Sequence, residues 1–147
     1  MQIYKDDDKK VKVIAGKFDE AEGPVKGHNV EPIYLDIEIK KGKEFTFNLP
    51  STHNSLIYLI EGEVKVGEQN HNSVKDSTLI ILTKGEKLKV SGLTKAKFLL
   101  ISGKPIGEPI ARGGPFVMNT KQEILKAIED YNTGNFVQKW HVLLKLK

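Results

Sequence analysis

Ile33, Leu35, Ile37 and Ile39 alternate with Tyr34, Asp36, Glu38 and Lys40, and this period of two suits a half-buried strand and not a helix. Lys41-Gly42 then supplies a turn. Phe45, Phe47 and Leu49 repeat the alternation, and Pro50 ends the second strand because it has no N–H to give to a ladder. Leu56 to Ile60 is apolar at nearly every position, which predicts a strand covered on both faces. Glu61-Gly62 leads into Val64 and Val66, and the polar run from Gly67 to Ser73 reads as a surface loop. Leu79 to Leu82, Leu88 to Val90 and Phe98 to Ile101 add three short strands. Short strands separated by glycine-marked turns predict an all-β sandwich or barrel, and a jelly roll is the architecture they favour.

One helix is expected after these strands. Thr120 and Glu123 have the spacing of a capping box, in which each side chain satisfies an N–H at the helix start. Ile124, Leu125, Ile128 and Tyr131 fall on one face at helical spacing and are expected to dock, and Gly134 offers a left-handed stop. Beyond it, Phe136, Trp140, Leu143 and Leu144 suit a helix while Trp140, Val142, Leu144 and Leu146 suit a strand, so the tail is open to both readings.

At 147 residues the chain suits one domain and is too short for two barrels. It has no cysteine, which excludes disulfides and thiolate metal sites. The lysines are spread along the whole chain and Arg112 is the only arginine, so the net charge of +4 argues for a solvated surface and against direct nucleic-acid binding. Residues 1–10 form a charged run, expected as a solvated arm with Asp6, Asp7 and Asp8 neutralised by Lys5, Lys9 and Lys10. No apolar run has the length of a signal peptide core or a membrane span, which predicts a cytoplasmic protein. A cysteine-free sequence rich in Lys, Glu and Ile also fits heat adaptation.

The segment Gly103 to Asn119 contains Pro105, Pro109, Pro115, Gly107, Gly113 and Gly114, so it is expected as a belt that is neither helix nor central strand. Together with Val11 to Gly16, Gly23-Pro24-Val25-Lys26 and His53-Asn54-Ser55-Leu56-Ile57-Tyr58-Leu59-Ile60-Glu61-Gly62, it closely resembles the carboxy-terminal domain of the pirin family. The resemblance covers roughly residues 11 to 136. It implies a cupin-type jelly-roll barrel with one carboxy-terminal α-helix: a charged arm at 1–10, a barrel at 11–103, then belt, helix and tail at 104–147. Pirins are iron-containing bicupins, described as transcription cofactors and, in several members, as quercetin dioxygenases. The resemblance places both roles in the amino-terminal cupin.

Metal-holding cupins offer a His-x-His pair, a Glu and a further His, because imidazoles and a carboxylate together leave open positions on iron. Here that region carries Asn48, Ser51 and Ser55, and the second motif, Thr83 to Leu88, supplies no histidine. His53 is the one imidazole near the expected barrel mouth, and the bland reading makes it a ring hydrogen-bonded at a strand entrance. His28, His71 and His141 have no ligand spacing between any two. No cofactor or metal ligand is therefore expected in this chain, iron being the family expectation for the other domain. The candidate small-molecule contacts are Ser51, His53, Ser55 and Tyr58.

Three functional readings follow. The first is a non-catalytic cupin acting in protein association, as a homodimer or with a separate metal-binding cupin subunit. The others are a metal-free small-molecule-binding barrel and a remnant dioxygenase that borrows ligands across an interface. A lone barrel of a bicupin presents a face that its partner would cover, which favours association.

Overall fold

The computed structural model describes residues 2–26, 29–67 and 73–137. They form β1 (Gln2–Lys5), β2 (Lys9–Ala15), β3 (Lys17–Phe18), β4 (Ala21–Glu22), β5 (Ile33–Ile39), β6 (Glu44–Asn48), β7 (Asn54–Glu61) and β8 (Glu63–Val66). Then come β9 (Val74–Lys75), β10 (Thr78–Ile81), β11 (Lys87–Gly92), β12 (Ala96–Gly103), β13 (Ala111–Gly113), β14 (Phe116–Met118) and α1 (Lys121–Asn132). The chain divides into two compact units, residues 1–106 and 107–147. No helix among the described residues is long and apolar enough to cross a membrane.

In the first unit, β5 pairs with β12, β6 with β11, β7 with β10 and β8 with β9, all antiparallel. These are the rungs of one long eight-stranded hairpin. Rolling it brings β12 against β7 and β11 against β8. The result is a six-stranded sheet ordered β1-β2-β5-β12-β7-β10 and a four-stranded sheet ordered β6-β11-β8-β9, which is the jelly roll the alternation predicted. Leu35, Ile37 and Ile39 are buried, as are Ile57 and Leu59, Val64 and Val66, Leu88 and Val90, and Phe98 and Leu100. Phe45 meets Phe98 edge to face, ring centroids 5.7 Å apart, and so joins the two sheets. Phe18 stacks on Phe45 at 5.5 Å and closes that end of the core.

Two expectations for this unit are corrected. Only the inner face of β7 is covered, because Tyr58 and Ile60 remain 39% and 38% exposed beside the fully buried Ile57 and Leu59. Nor are residues 1–10 a solvated arm. Gln2 to Lys5 pair with β2 in the register Gln2↔Val13 to Lys5↔Lys10. Asp6 closes that hairpin, its carboxylate accepting from the N–H groups of Asp8 and Lys9, from the Tyr4 hydroxyl and from Lys9 Nζ at 2.7–3.0 Å. The Lys9 ammonium, helped by the backbone donors, holds this carboxyl well below the usual carboxylate range.

The second unit turns part of the Pro/Gly belt into a hairpin, with Ala111↔Met118 and Gly113↔Phe116 in register. Asn119 Nδ2 donates to Glu108 and to the Pro109 carbonyl, both at 2.9 Å, fixing the belt to the start of α1. The capping box forms as expected: Thr120 N donates to Glu123 at 2.7 Å, and Glu123 N donates to Thr120 Oγ1 at 3.2 Å. Gly134 takes φ +76°, the left-handed stop. The docking face differs from the expected one. Ile124 and Ala127 are buried, Ile128 is 37% exposed, and Leu125 and Tyr131 are 68% and 66% exposed. The reason lies at Gly113, where an added Cβ would stand 2.3 Å from Ile124 Cγ2. Close approach there rotates the helix so that Ile124 and Ala127 lead. Tyr131 instead packs by its edge with Phe116 and Phe136. Trp140 and the rest of the ambiguous tail lie outside the described residues.

Two outcomes are expected. Gly113→Ala should weaken helix protection in hydrogen exchange over residues 121–132 by an overpacking cost of about 1–3 kcal/mol, and by clearly less in an Ile124→Ala background; equal costs in both backgrounds would show that the two residues do not meet. Asp6 titrates lower in the folded chain than unfolded, so its contribution is complete above the unfolded carboxylate value of about 4 and is lost as pH falls toward the folded value. Denaturant midpoints of Asp6→Asn should therefore depend less on pH below about 4 than those of the parent chain.

Candidate functional site

Between β2 and β5 the described residues are 16–26 and 29–32. Their path is set by close backbone contacts. Gly16 turns with φ +79°, and Gly23 lies so close to β2 that a Cβ would stand 2.6 Å from the Ile14 carbonyl. Gly23 N donates to Gly16 O at 2.9 Å and Val25 N to Ile14 O at 3.2 Å. This explains the Gly23-Pro24-Val25 segment, whose residues run alongside β2 and cannot be bulkier at Gly23.

Opposite this crossing, the turn that follows Pro50 delivers His53. Its N–H donates to the Pro50 carbonyl at 3.0 Å, and the residue is 5% exposed. His53 Nδ1 lies 3.2 Å from Ser102 Oγ, which lies 2.7 Å from Ser55 Oγ. Ser55 and Ser102 are direct cross-strand partners on β7 and β12, so the relay is built on two paired strands. The other ring nitrogen, Nε2, is buried and has no hydrogen-bond partner among the described residues. The nearest opposite charge is Glu31 Oε2 at 4.0 Å, beyond hydrogen-bond reach, on a side chain 64% exposed. Glu31 has φ +45°, a left-handed conformation that side chains other than glycine seldom adopt.

His53 and Glu31 line a cavity of about 440 Å³. Val25, Pro32, Ile33 and Pro50 give it apolar walls. Lys17, Lys26, Glu22 and Glu31 also line it, two charges of each sign, and Lys26 is paired with Glu22. A carboxylate beside Nε2 favours the tautomer with the proton on that nitrogen, and Ser102 can then donate its hydroxyl proton to Nδ1.

The four anticipated contacts separate. His53 lines the cavity and Ser55 supports it from behind through Ser102. Ser51 is exposed on the turn, and Tyr58 points outward from β7; neither lines the cavity. Glu31 and Ser102 were not anticipated. Glu31 belongs to a loop without a motif, and Ser102 follows the apolar run of β12, where only its inward parity with Phe98 and Leu100 marks it. His28 and His71 lie outside the described residues, as does His141.

The donor set among the described residues does not fit a catalytic iron. His53 and Glu31 are two donors, and no group of three metal-ligating side chains converges among the described residues. The space between the sheets is filled instead by Phe45, Phe98, Ile57, Leu59 and Leu100.

Residues 34–137 match the Pirin C-terminal cupin domain. The chain is 34% identical over 127 residues to a pirin-like protein of Caulobacter vibrioides, covering 86% of this chain and 45% of that one. It is likewise 34% identical over 128 residues to Pirin-1 of Arabidopsis thaliana, covering 84% of this chain and 44% of that one. The crystal structure of a quercetin 2,3-dioxygenase from Acinetobacter baumannii superposes with a TM-score of 0.75 at 34% identity, over 90% of this chain and 45% of that chain. The chain thus spans a little under half the length of these relatives. On the match to most of its length and on the shared jelly roll, the chain belongs to the pirin family and corresponds to its carboxy-terminal cupin domain.

Proposed function

We propose that this pirin-type cupin is non-catalytic and acts in protein association, pairing its six-stranded sheet with a second cupin barrel, which for this chain alone is a second copy. The observation that carries this reading is the outer face of that sheet near its β10 edge. Leu79 and Ile81 are 55% and 79% exposed, and the register sets Leu79 beside Tyr58 and Ile81 beside Leu56. Leu99 and Ile101 continue those two rows on β12. Two adjoining cross-strand rows without a charge form a patch that a soluble surface rarely leaves open.

The same patch favours a two-fold partner. An apolar face needs no opposite charge to complement it, so one surface serves both subunits. β10 is also an edge strand with only β7 beside it, and its outer N–H and C=O groups can pair with those of a second β10. The length of the relatives supports a barrel as the occupant, since more than half of each lies outside the part this chain matches. Two metal donors brought together among the described residues, beside an interior packed with apolar side chains, support a role carried by the surface.

Light scattering coupled to gel filtration should give twice the 16.5 kDa chain mass, and Leu79→Asp with Ile81→Asp should return it to one. A monomeric parent chain at concentrations well above the micromolar range would overturn self-pairing and favour a different cupin as the partner. Reconstitution with ferrous iron followed by elemental analysis should find no stoichiometric metal, and flavonol oxygenation should be absent. One tightly held iron per chain, lost in His53→Ala, would refute the non-catalytic assignment.

A further inference from the structure

We infer that the cavity at His53 is a binding site for a neutral small molecule that carries a hydroxyl group on an apolar body. This goes beyond association, since the cavity lies at the end of the jelly roll and the association face is the outside of one sheet. The starting point is Nε2, which has no hydrogen-bond partner among the described residues. A buried ring N–H without an acceptor is unfavourable, and buried polar groups in folded proteins are nearly always satisfied. Nδ1 is already engaged by Ser102, which is held in turn by Ser55. The ring therefore cannot turn to satisfy Nε2 without breaking a buried relay.

Nε2 and Glu31 Oε2 are 4.0 Å apart. That gap is too long for a direct hydrogen bond, and a small outward turn of the 64% exposed Glu31 side chain admits one oxygen atom about 2.8 Å from each. Such an oxygen must accept from Nε2–H and donate to the carboxylate. A hydroxyl does both, whereas a ketone or ether oxygen can only accept and a carboxylate would meet Glu31 as a like charge. The left-handed backbone at Glu31 is strain of the kind held at binding sites, and here it belongs to the residue whose carboxylate faces the ring.

The rest of the cavity selects the body of the ligand. Val25, Pro32, Ile33 and Pro50 offer apolar contact, and a volume of about 440 Å³ lies in the range of small-molecule sites. The four charged residues around it cancel in sign, and the Lys26–Glu22 pair removes one lysine as an anion receptor. Nothing in the lining therefore calls for a charged ligand. The ligand hydroxyl would enter between Nε2 and Glu31 while the walls bury the remainder.

Three six-membered-ring probes of similar size separate these chemistries: cyclohexanol, cyclohexanone and cyclohexanecarboxylate. Each is titrated into the ¹⁵N-labelled full chain while the His53 side-chain nitrogens are followed by NMR. Cyclohexanol should shift Nε2 saturably and bind about tenfold more tightly than the ketone, the difference that one further net hydrogen bond makes; the carboxylate should not compete. Glu31→Gly removes the carboxylate, accepts the positive φ and changes an exposed side chain, so the fold should persist by its amide fingerprint. In that variant the preference for alcohol over ketone should disappear. Equal binding of the three probes, no saturable shift at His53, or an unchanged preference in Glu31→Gly would each overturn the proposal.

Discussion

The register of β12 between β5 and β7 fixes both the core and the cavity. With Leu100 opposite Leu35 on one side and Ile57 on the other, the inward parity runs Phe98, Leu100, Ser102. The first two fill the space between the sheets, and Phe98 reaches Phe45 across it. The third emerges at the end of the core beside Ser55 and takes hold of His53. Because side chains alternate with a period of two, a slip of one residue would turn Ser102 outward and bring Lys97 and Leu99 inward. The hydrophobic penalty against that slip is what holds the polar relay in place.

That dependence explains how a buried histidine is held at a barrel end by hydroxyls. In a metal-holding cupin several inward donors share one ion and so satisfy each other's charge and lone pairs. Here most inward positions are apolar, and the His53 imidazole is held on one side by the Ser102 hydroxyl, itself held by Ser55, and has no partner on the other among the described residues.

The second unit rests on a comparable close contact. Gly113 lets Ile124 approach the hairpin to a distance that any Cβ would block, and the capping box and the Asn119 side chain fix where the helix begins. Its aromatic cluster of Phe116, Tyr131 and Phe136 forms around the same hairpin. The family resemblance in this segment thus has a mechanical basis: the glycines and prolines bend the chain, and the residues between them secure the helix.

Much of this was legible in the residues alone. Alternation at Ile33–Ile39 identified a strand because one face is wet and the other dry, and the Thr120/Glu123 spacing identified a helix start because both partners lie within one turn. His53 stood out as the imidazole nearest the barrel mouth. Sequence could not tell that Asp6 closes a hairpin, since four donors from Tyr4, Asp8 and Lys9 gather on it only when the chain turns. Nor could it tell that Tyr58 faces away from the cavity while Ser102, 49 positions beyond His53, reaches the ring. Local periodicity records which residues prefer burial and where elements start. Which buried groups meet is decided by pairings between distant strands, and those are fixed only when the whole hairpin rolls and its apolar faces close on one another.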